Sequence, residues 1–417
     1  MSRSGAREVD GILLLYHFVA PYAETVMDHA GALEQFSRFP VWSLNTSERF
    51  PAALNRLRFR VVVLHYSLFG TAPFRLSRAF REYLRENRAS LQVAFFQDEY
   101  DHVSERFAFI DEFGVDWIYT LLAPREAELV YGRRAHPARL FSTIPGFVSD
   151  GLREKARRLA PAESDRPVDI GYRGRSLPFY MGRGAQEKAD IGRQFAARAQ
   201  GLGLALDIAS DEGSRLYGEA WYRFLGSCKA VLGVEAGVSI FDLDGQAKIA
   251  VETLRSREPD LSFEDVSRRV LSGLEDNIPY RTISPRHFEA AAFDTCQILF
   301  KGSYSGIMQA GTHYIPLRKD FANFDDVMRA FLDRGERAQI VANARRDLIE
   351  SERYSYREFV RGFDDELERA GLMADGASRP TEVDRALARG ASIRRAEARL
   401  RTRFWRWRMA RRSGAGT

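Results

Sequence analysis

Three features of the amino-acid sequence predict an α/β fold of two Rossmann-like, doubly wound domains facing a cleft. Short, continuous apolar runs such as Arg60–His65 (RVVVLH) have the length and composition of strands buried on both faces. These runs alternate with segments of helical period, the pattern of a parallel sheet with crossover helices. The alternation occurs twice, on either side of a polar, charge-mixed stretch over 153–167 that reads as a linker. With 417 residues, 45% of them hydrophobic and 12% aromatic, the chain is long enough for two domains of ordinary size.

In the first half, Gly11–His17 reads as a strand and Glu24–Phe36 as a helix. The start, MSRSGAREVDGILLLYHFVAP, imitates a signal peptide. Glu8 and Asp10 interrupt it, however, and an ordinary first strand explains it better. Further strands are expected at Arg60–His65, Leu91–Phe96, Val115–Leu121 and Arg139–Thr143, with helices at Arg75–Glu86 and Arg106–Phe113. The second half opens with a strand at Val168–Tyr172, followed by a helix at Gln186–Gln200 and a strand at Leu204–Ile208. A helix at Tyr217–Leu225, a strand at Ala230–Val234 and a helical insertion over Thr253–Gly273 come next. A short helix carrying Glu289, a strand at Gln297–Phe300, and helices at Asp325–Asp333, Ala338–Ser351 and Tyr356–Ala370 complete it. The expected organisation is therefore residues 1–152 and 153–355 as the two domains, 356–372 as a helix crossing back, and 373–417 as a linker and Arg-rich amphipathic tail.

Composition narrows the function classes. Cys228 and Cys296 lack metal-ligand spacing and read as buried reduced thiols, which fits a cytoplasmic compartment. No apolar run has the ~20 residues that a bilayer-spanning helix needs. Arg385–Arg412 holds eleven arginines and one glutamate, +10 in a chain of total charge +5, which leaves a mildly acidic body of −5. In that tail Ile393, Ala396, Leu400, Phe404 and Trp407 share one helical stripe, with Trp405 off it. Such a helix fits the surface of an anionic membrane; a solvated tail and, less favoured, nucleic-acid binding are the other readings. Neither a P-loop nor a dinucleotide fingerprint is present, so ATPase and dehydrogenase readings lack support.

The chemistry concentrates in Ser284–Pro316, SPRHFEAAAFDTCQILFKGSYSGIMQAGTHYIP. Glu289, near a helix start beside strand ends, is placed to accept both hydrogen bonds of a ribose diol. A helix-start glutamate favoured by the helix dipole is the plainer explanation. Gly302-Ser303-Tyr304-Ser305-Gly306 offers successive backbone N–H groups and hydroxyls of the kind that bind anions. Tyr172–Lys188 brings Arg173, Arg175, Arg183 and Lys188 among glycines at a strand end, where cations stabilise a departing diphosphate. In the first half His17, His65 and the run Gln97–His102 fall at strand ends; of these Asp98 and His102 are the candidates to take a proton from an acceptor. His313 is a further candidate to line the Gly/Ser loop. Glu235, Asp242 and Asp244 have the alternation that suits a hard cation, but turn-forming aspartates explain it more simply, so no metal is expected.

These residues together resemble the bacterial group 1 glycosyltransferases of the GT-B fold, nearest the spore-maturation-type subset. The match is specific over Ile283–Leu317, looser over Asp169–Gly237 and slight in the first half. The resemblance implies a cytoplasmic transferase that moves a sugar from a nucleotide-diphosphate sugar to a glycan or lipid-linked acceptor, with no metal or other cofactor. It implies that residues 153–355 bind the donor and 1–152 the acceptor. Glu289 would hold the ribose, Arg173, Arg175 and Lys188 the diphosphate, and Ser303, Tyr304, Ser305 and Gly306 the phosphates or sugar. His17 and His65 would meet the acceptor, with His102 or Asp98 orienting it. Many relatives carry a second glutamate eight positions before the first, contacting the donor sugar; Arg281 stands there in this chain. A nucleotide-sugar epimerase or phosphorylase on the same fold, and a non-catalytic sugar-nucleotide or glycan binder, are the rival readings.

Overall fold

The computed structural model describes residues 6–19, 24–132, 136–374 and 381–388. They divide into two compact units, one within 1–120, 127–142 and 360–417 and the other within 121–126 and 143–359.

The first unit is built on a six-stranded parallel sheet of order β2-β1-β3-β4-β5-β6. Its elements are β1 (Arg7–Tyr16), α1 (Glu24–Phe36), β2 (Val41–Asn45), β3 (Leu57–Leu64), α2 (Arg78–Glu86), β4 (Leu91–Phe95), α3 (Val103–Phe113), β5 (Trp117–Thr120), α4 (Pro124–Tyr131) and β6 (Arg139–Ser142). Ile12–Leu15 and Val61–Leu64 are completely buried, as apolar runs covered on both faces must be. The run that imitates a signal peptide is thus an interior strand. Sequence periodicity passed over β2 because it has only five residues, with Ser43 and Asn45 among them.

The second unit opens with α5 (Asp150–Leu159), where a linker was expected. Its arginines and glutamate form solvent-facing pairs such as Arg157–Glu154, while Leu152 and Ala156 pack into the core. A charge-rich helix with few inward side chains looks like a linker in composition. Beyond it come β7 (Val168–Arg173), α6 (Arg183–Arg198), β8 (Leu206–Ala209), α7 (Glu219–Ser227) and β9 (Cys228–Gly233). A small antiparallel pair, β10 (Ala236–Val238) and β11 (Tyr280–Thr282), brackets α8 (Gln246–Arg257) and α9 (Phe263–Val270), so the insertion is two helices. Then follow α10 (Pro285–Ala292), β12 (Cys296–Phe300), β13 (Ile315–Leu317), α11 (Phe324–Leu332) and α12 (Arg334–Ala344), which runs into a wider helical turn to Glu350. The main sheet is parallel, of order β13-β12-β9-β7-β8. Alternation sorts its side chains: Ile298 and Phe300 join one core, with Ile191 and Phe195 of α6, whereas Leu299 joins the other, with Phe224 of α7 and the alanines of α10.

Two helices close the described chain. α13 (Tyr356–Arg369) begins among the residues of the second unit and ends among those of the first. α14 (Thr381–Ala388), expected as part of the linker and Arg-rich amphipathic tail, lies within the first unit; Val383 and Leu387 are buried and Asp384 accepts the Trp42 indole N–H at 2.9 Å. The stripe from Ile393 to Trp407, and all of the Arg385–Arg412 segment after 388, lies outside the described residues.

Candidate functional site

In each parallel sheet the strand order reverses at one place, and ligands of open α/β sheets bind outside the strand carboxyl ends there. In the second unit the reversal falls between β7 and β9. The β7 end leads into Arg173–Ser176, the β9 end carries Glu235, and the neighbouring β12 leads into the Gly/Ser loop. Lys188 on α6 reaches across, its Nζ 3.3 Å from the carbonyl of Gly237.

α10 starts where its sequence says it should. Ser284 is the N-cap, Pro285 occupies the first turn, and His287 Nδ1 accepts the Ser284 amide at 2.9 Å to complete a capping box. Burial lowers the His287 pKa to about 4, so the ring is a neutral acceptor at pH 7. Glu289 follows one turn on, half-buried, with Oε2 accepting the Trp221 indole N–H at 2.7 Å. The plain helix-dipole reading does not account for that bond.

The Gly/Ser loop is an N–H array, and a carboxylate occupies it. Glu235 Oε1 accepts from the Ser303 amide (3.1 Å), the Ser303 hydroxyl (3.0 Å) and the Tyr304 amide (2.8 Å). A Cβ on Gly302 would lie 2.5 Å from Glu235 Oε2, so a larger residue there would push the carboxylate aside. Tyr304, Ser305 and Gly306 all have positive φ (45°, 57° and 70°), an energetically costly run for two non-glycine residues. It is held from both sides. The buried Tyr304 donates its hydroxyl to Phe300 O at 2.6 Å, and Ser305 Oγ lies 2.8 Å from Thr282 Oγ1 while accepting the Ile283 amide at 3.1 Å. Tyr304 thus presents its backbone, and not its side chain, to the crevice. His313 is turned elsewhere, accepting the Gln309 amide and facing Asp347 at 3.1 Å.

Among the cations expected to frame the site, the Arg173 guanidinium is taken by Asp207 (2.8 Å) and lies 4.3 Å over the Phe224 ring. Arg175 is exposed on the following loop, and Arg183 pairs with Glu264. A second group went unread in the sequence: Glu187, almost wholly buried, pairs with Lys319 (2.7 Å) and Arg281 (3.3 Å), and Arg281 also with Asp276 (3.2 Å). Burial opposes the Arg281 charge, but Glu187 and Asp276 carry its pKa above the ordinary value. The sequence signalled this group only through the odd arginine at 281. Asp242 and Asp244 accept amides at the start of α8, the turn role. Among the described residues no group of three or more His, Cys, Asp or Glu side chains is placed to hold a metal ion.

In the first unit the reversal falls between β1 and β3, and the structure brings His17 and His65 together there through Ser67. The His17 amide donates to Ser67 Oγ (2.9 Å), and the Ser67 amide donates to His65 Nδ1 (3.1 Å). His65 is completely buried, and desolvation, with His29 beside it, holds its pKa far below the usual value. Asp98 and His102, both at positive φ, sit at the two ends of the β4–α3 loop; Asp98 accepts the Tyr100 hydroxyl (3.0 Å) and His102 faces Asp101 (3.6 Å). Buried Glu99 pins that loop by accepting the hydroxyls of Thr120 and Tyr131, both at 2.6 Å, while Arg106 donates to the carbonyls of Glu99 and Asp101.

No family model matches the chain, and no curated protein does. Solved structures do. An alpha-glucosyltransferase in complex with UDP-glucose and DNA containing an abasic site superposes with a TM-score of 0.50 at 9% identity, covering 87% of this chain and 99% of that one. HepE of Anabaena in complex with UDP-glucose gives 0.44 at 9% identity over 86% of this chain and 99% of its own, and TarM gives 0.39 at 11% over 73% and 53%. The first likeness is one of fold: the chain shares the α/β architecture of that alpha-glucosyltransferase.

Proposed function

We propose that the protein is a glycosyltransferase that moves a sugar from a nucleotide-diphosphate sugar to a hydroxyl of a glycan or lipid-linked acceptor, without a catalytic metal. The observation that carries this reading is Glu289, held on a capped helix beside the strand-order reversal of the second unit. The alpha-glucosyltransferase whose fold it shares was solved with UDP-glucose, which makes a uridine diphosphate sugar the first donor to test.

In this reading Glu289 accepts the ribose hydroxyls. Lys188 and Arg175 meet the diphosphate, joined by Arg173 if the phosphates draw it from Asp207. Ser303, Tyr304, Ser305 and Gly306 border the phosphates or sugar, with Glu235 the carboxylate that a ligand there encounters first. Transfer breaks the bond from the anomeric carbon to the diphosphate, forms one to the acceptor oxygen, and passes the acceptor proton to His102 or Asp98. Cations matter because charge grows on the leaving diphosphate in the transition state. His17 and His65 belong to the acceptor side. The pattern around Glu289 favours the spore-maturation-type subset and a hexose donor. The Arg385–Arg412 charge favours a cytoplasmic enzyme held at an anionic membrane face; no helix among the described residues is long and apolar enough to cross a membrane.

A thermal-shift screen with UDP, GDP, ADP, CMP and dTDP tests the reading. One diphosphate should raise the unfolding midpoint, and Glu289→Ala should abolish the shift while leaving the ligand-free midpoint near that of the wild type. No shift with any nucleotide would refute the donor site; a shift that survives in Glu289→Ala would refute the ribose role.

A further inference from the structure

Trp221 lies on α7, 68 residues before Glu289, yet its indole N–H is a donor that meets the Glu289 carboxylate. The same ring lies under the guanidinium of Arg286, 4.6 Å away, and stacks on Phe224 with centroids 5.7 Å apart and an interplanar angle of 29°. Arg286 in turn donates from Nη1 to the carbonyl of Arg173 at 2.6 Å, at the carboxyl end of β7. Arg286 and Glu289 stand three residues apart on α10 and so share a face. The end of β7, the face of α7 and the first turns of α10 therefore meet around one half-buried indole.

Tryptophan can only donate, through a single N–H in the ring plane. A charge-assisted bond from it restrains the carboxylate oxygen it reaches, while a carboxylate has about four lone-pair sites in all. A glutamate that must grip a diol otherwise loses rotamer freedom on binding, which weakens the complex; a side chain already held loses less. We propose that Trp221 is the positioning residue for Glu289, holding the carboxylate in the orientation in which it accepts the ribose hydroxyls. This inference rests on the ribose reading above.

The test separates the two. Affinities of UDP, GDP, ADP and CDP, and of their 2′,3′-dideoxy counterparts, are measured by calorimetry for the wild type, Trp221→Phe and Glu289→Ala. Removing the N–H should weaken the hydroxyl-bearing nucleotide roughly tenfold and leave the dideoxy counterpart nearly unchanged; in turnover the loss should appear in KM, with kcat unchanged. Equal losses for both nucleotides would mean that Trp221 only fills space, and would overturn the inference while Glu289→Ala still upholds the ribose role. No binding of any nucleotide to the wild type would overturn both. Should Trp221→Phe fail to fold, benzothienylalanine at 221, which keeps the ring shape and lacks the N–H, gives the same comparison.

Discussion

His287 shows how one side chain links the α10 start to acidity. Its ring is buried, accepts the Ser284 amide, and meets the edge of Tyr304 at 5.0 Å. Protonation would destroy the acceptor and place a charge in an apolar setting. With a folded pKa of about 4 against 6.5 when unfolded, the unfolded chain binds more protons between those values. Stability is therefore full above pH 6.5 and is lost as pH falls through about 4, by on the order of 3 kcal/mol from this ring alone. Unfolding midpoints from pH 7 to 4 should fall more steeply for the wild type than for His287→Asn, whose side-chain oxygen can still accept. Parallel curves would assign the acid sensitivity to other groups, such as His29, which burial lowers to about 3. None of this is legible in the sequence, where His287 is one more polar residue in a helix start.

Among the elements, α10 is the one the chain specifies most fully in local terms. Ser284 at the cap, Pro285 after it and the helix-favouring run Ala290–Ala292 are all signals of short range. Ser284→Ala should cost about 1 kcal/mol, read as a lower denaturant midpoint with unchanged slope; an unchanged midpoint would mean that Pro285 and His287 define the start alone. The Gly/Ser loop is the opposite case. Its glycines and serines were readable as an anion cradle, but the carboxylate that fills it comes from Glu235, on the far side of the insertion. Likewise α5 passed for a linker because charge composition outweighed its two buried residues.

For the whole molecule, the alternation of apolar runs and helical segments was enough to predict parallel sheets, since strands buried on both faces have no polar side to show. The same logic failed for residues 381–388, read as linker and tail, which form a helix with Val383 and Leu387 buried within the first unit. A truncation that tests membrane attachment must therefore keep residues 381–388, because Asp384 holds the Trp42 indole. Removing 389–417 should abolish sedimentation with vesicles containing anionic lipid, and the full chain should lose binding as salt rises. Continued sedimentation of the shortened chain would discard the anchor.

The sequence by itself determined the α/β class and the order of most strands and helices, and it singled out Glu289 as a candidate. Each follows from periodicity, caps or turn residues, which act within a few positions of the chain. Only the tertiary structure decided partners: Asp207 for Arg173, Glu235 for the Gly/Ser loop, Glu187 for Arg281 and Lys319, and Trp221 for Glu289. Such pairs depend on strand order and on which helix covers which face, and no local pattern encodes a contact across 68 residues.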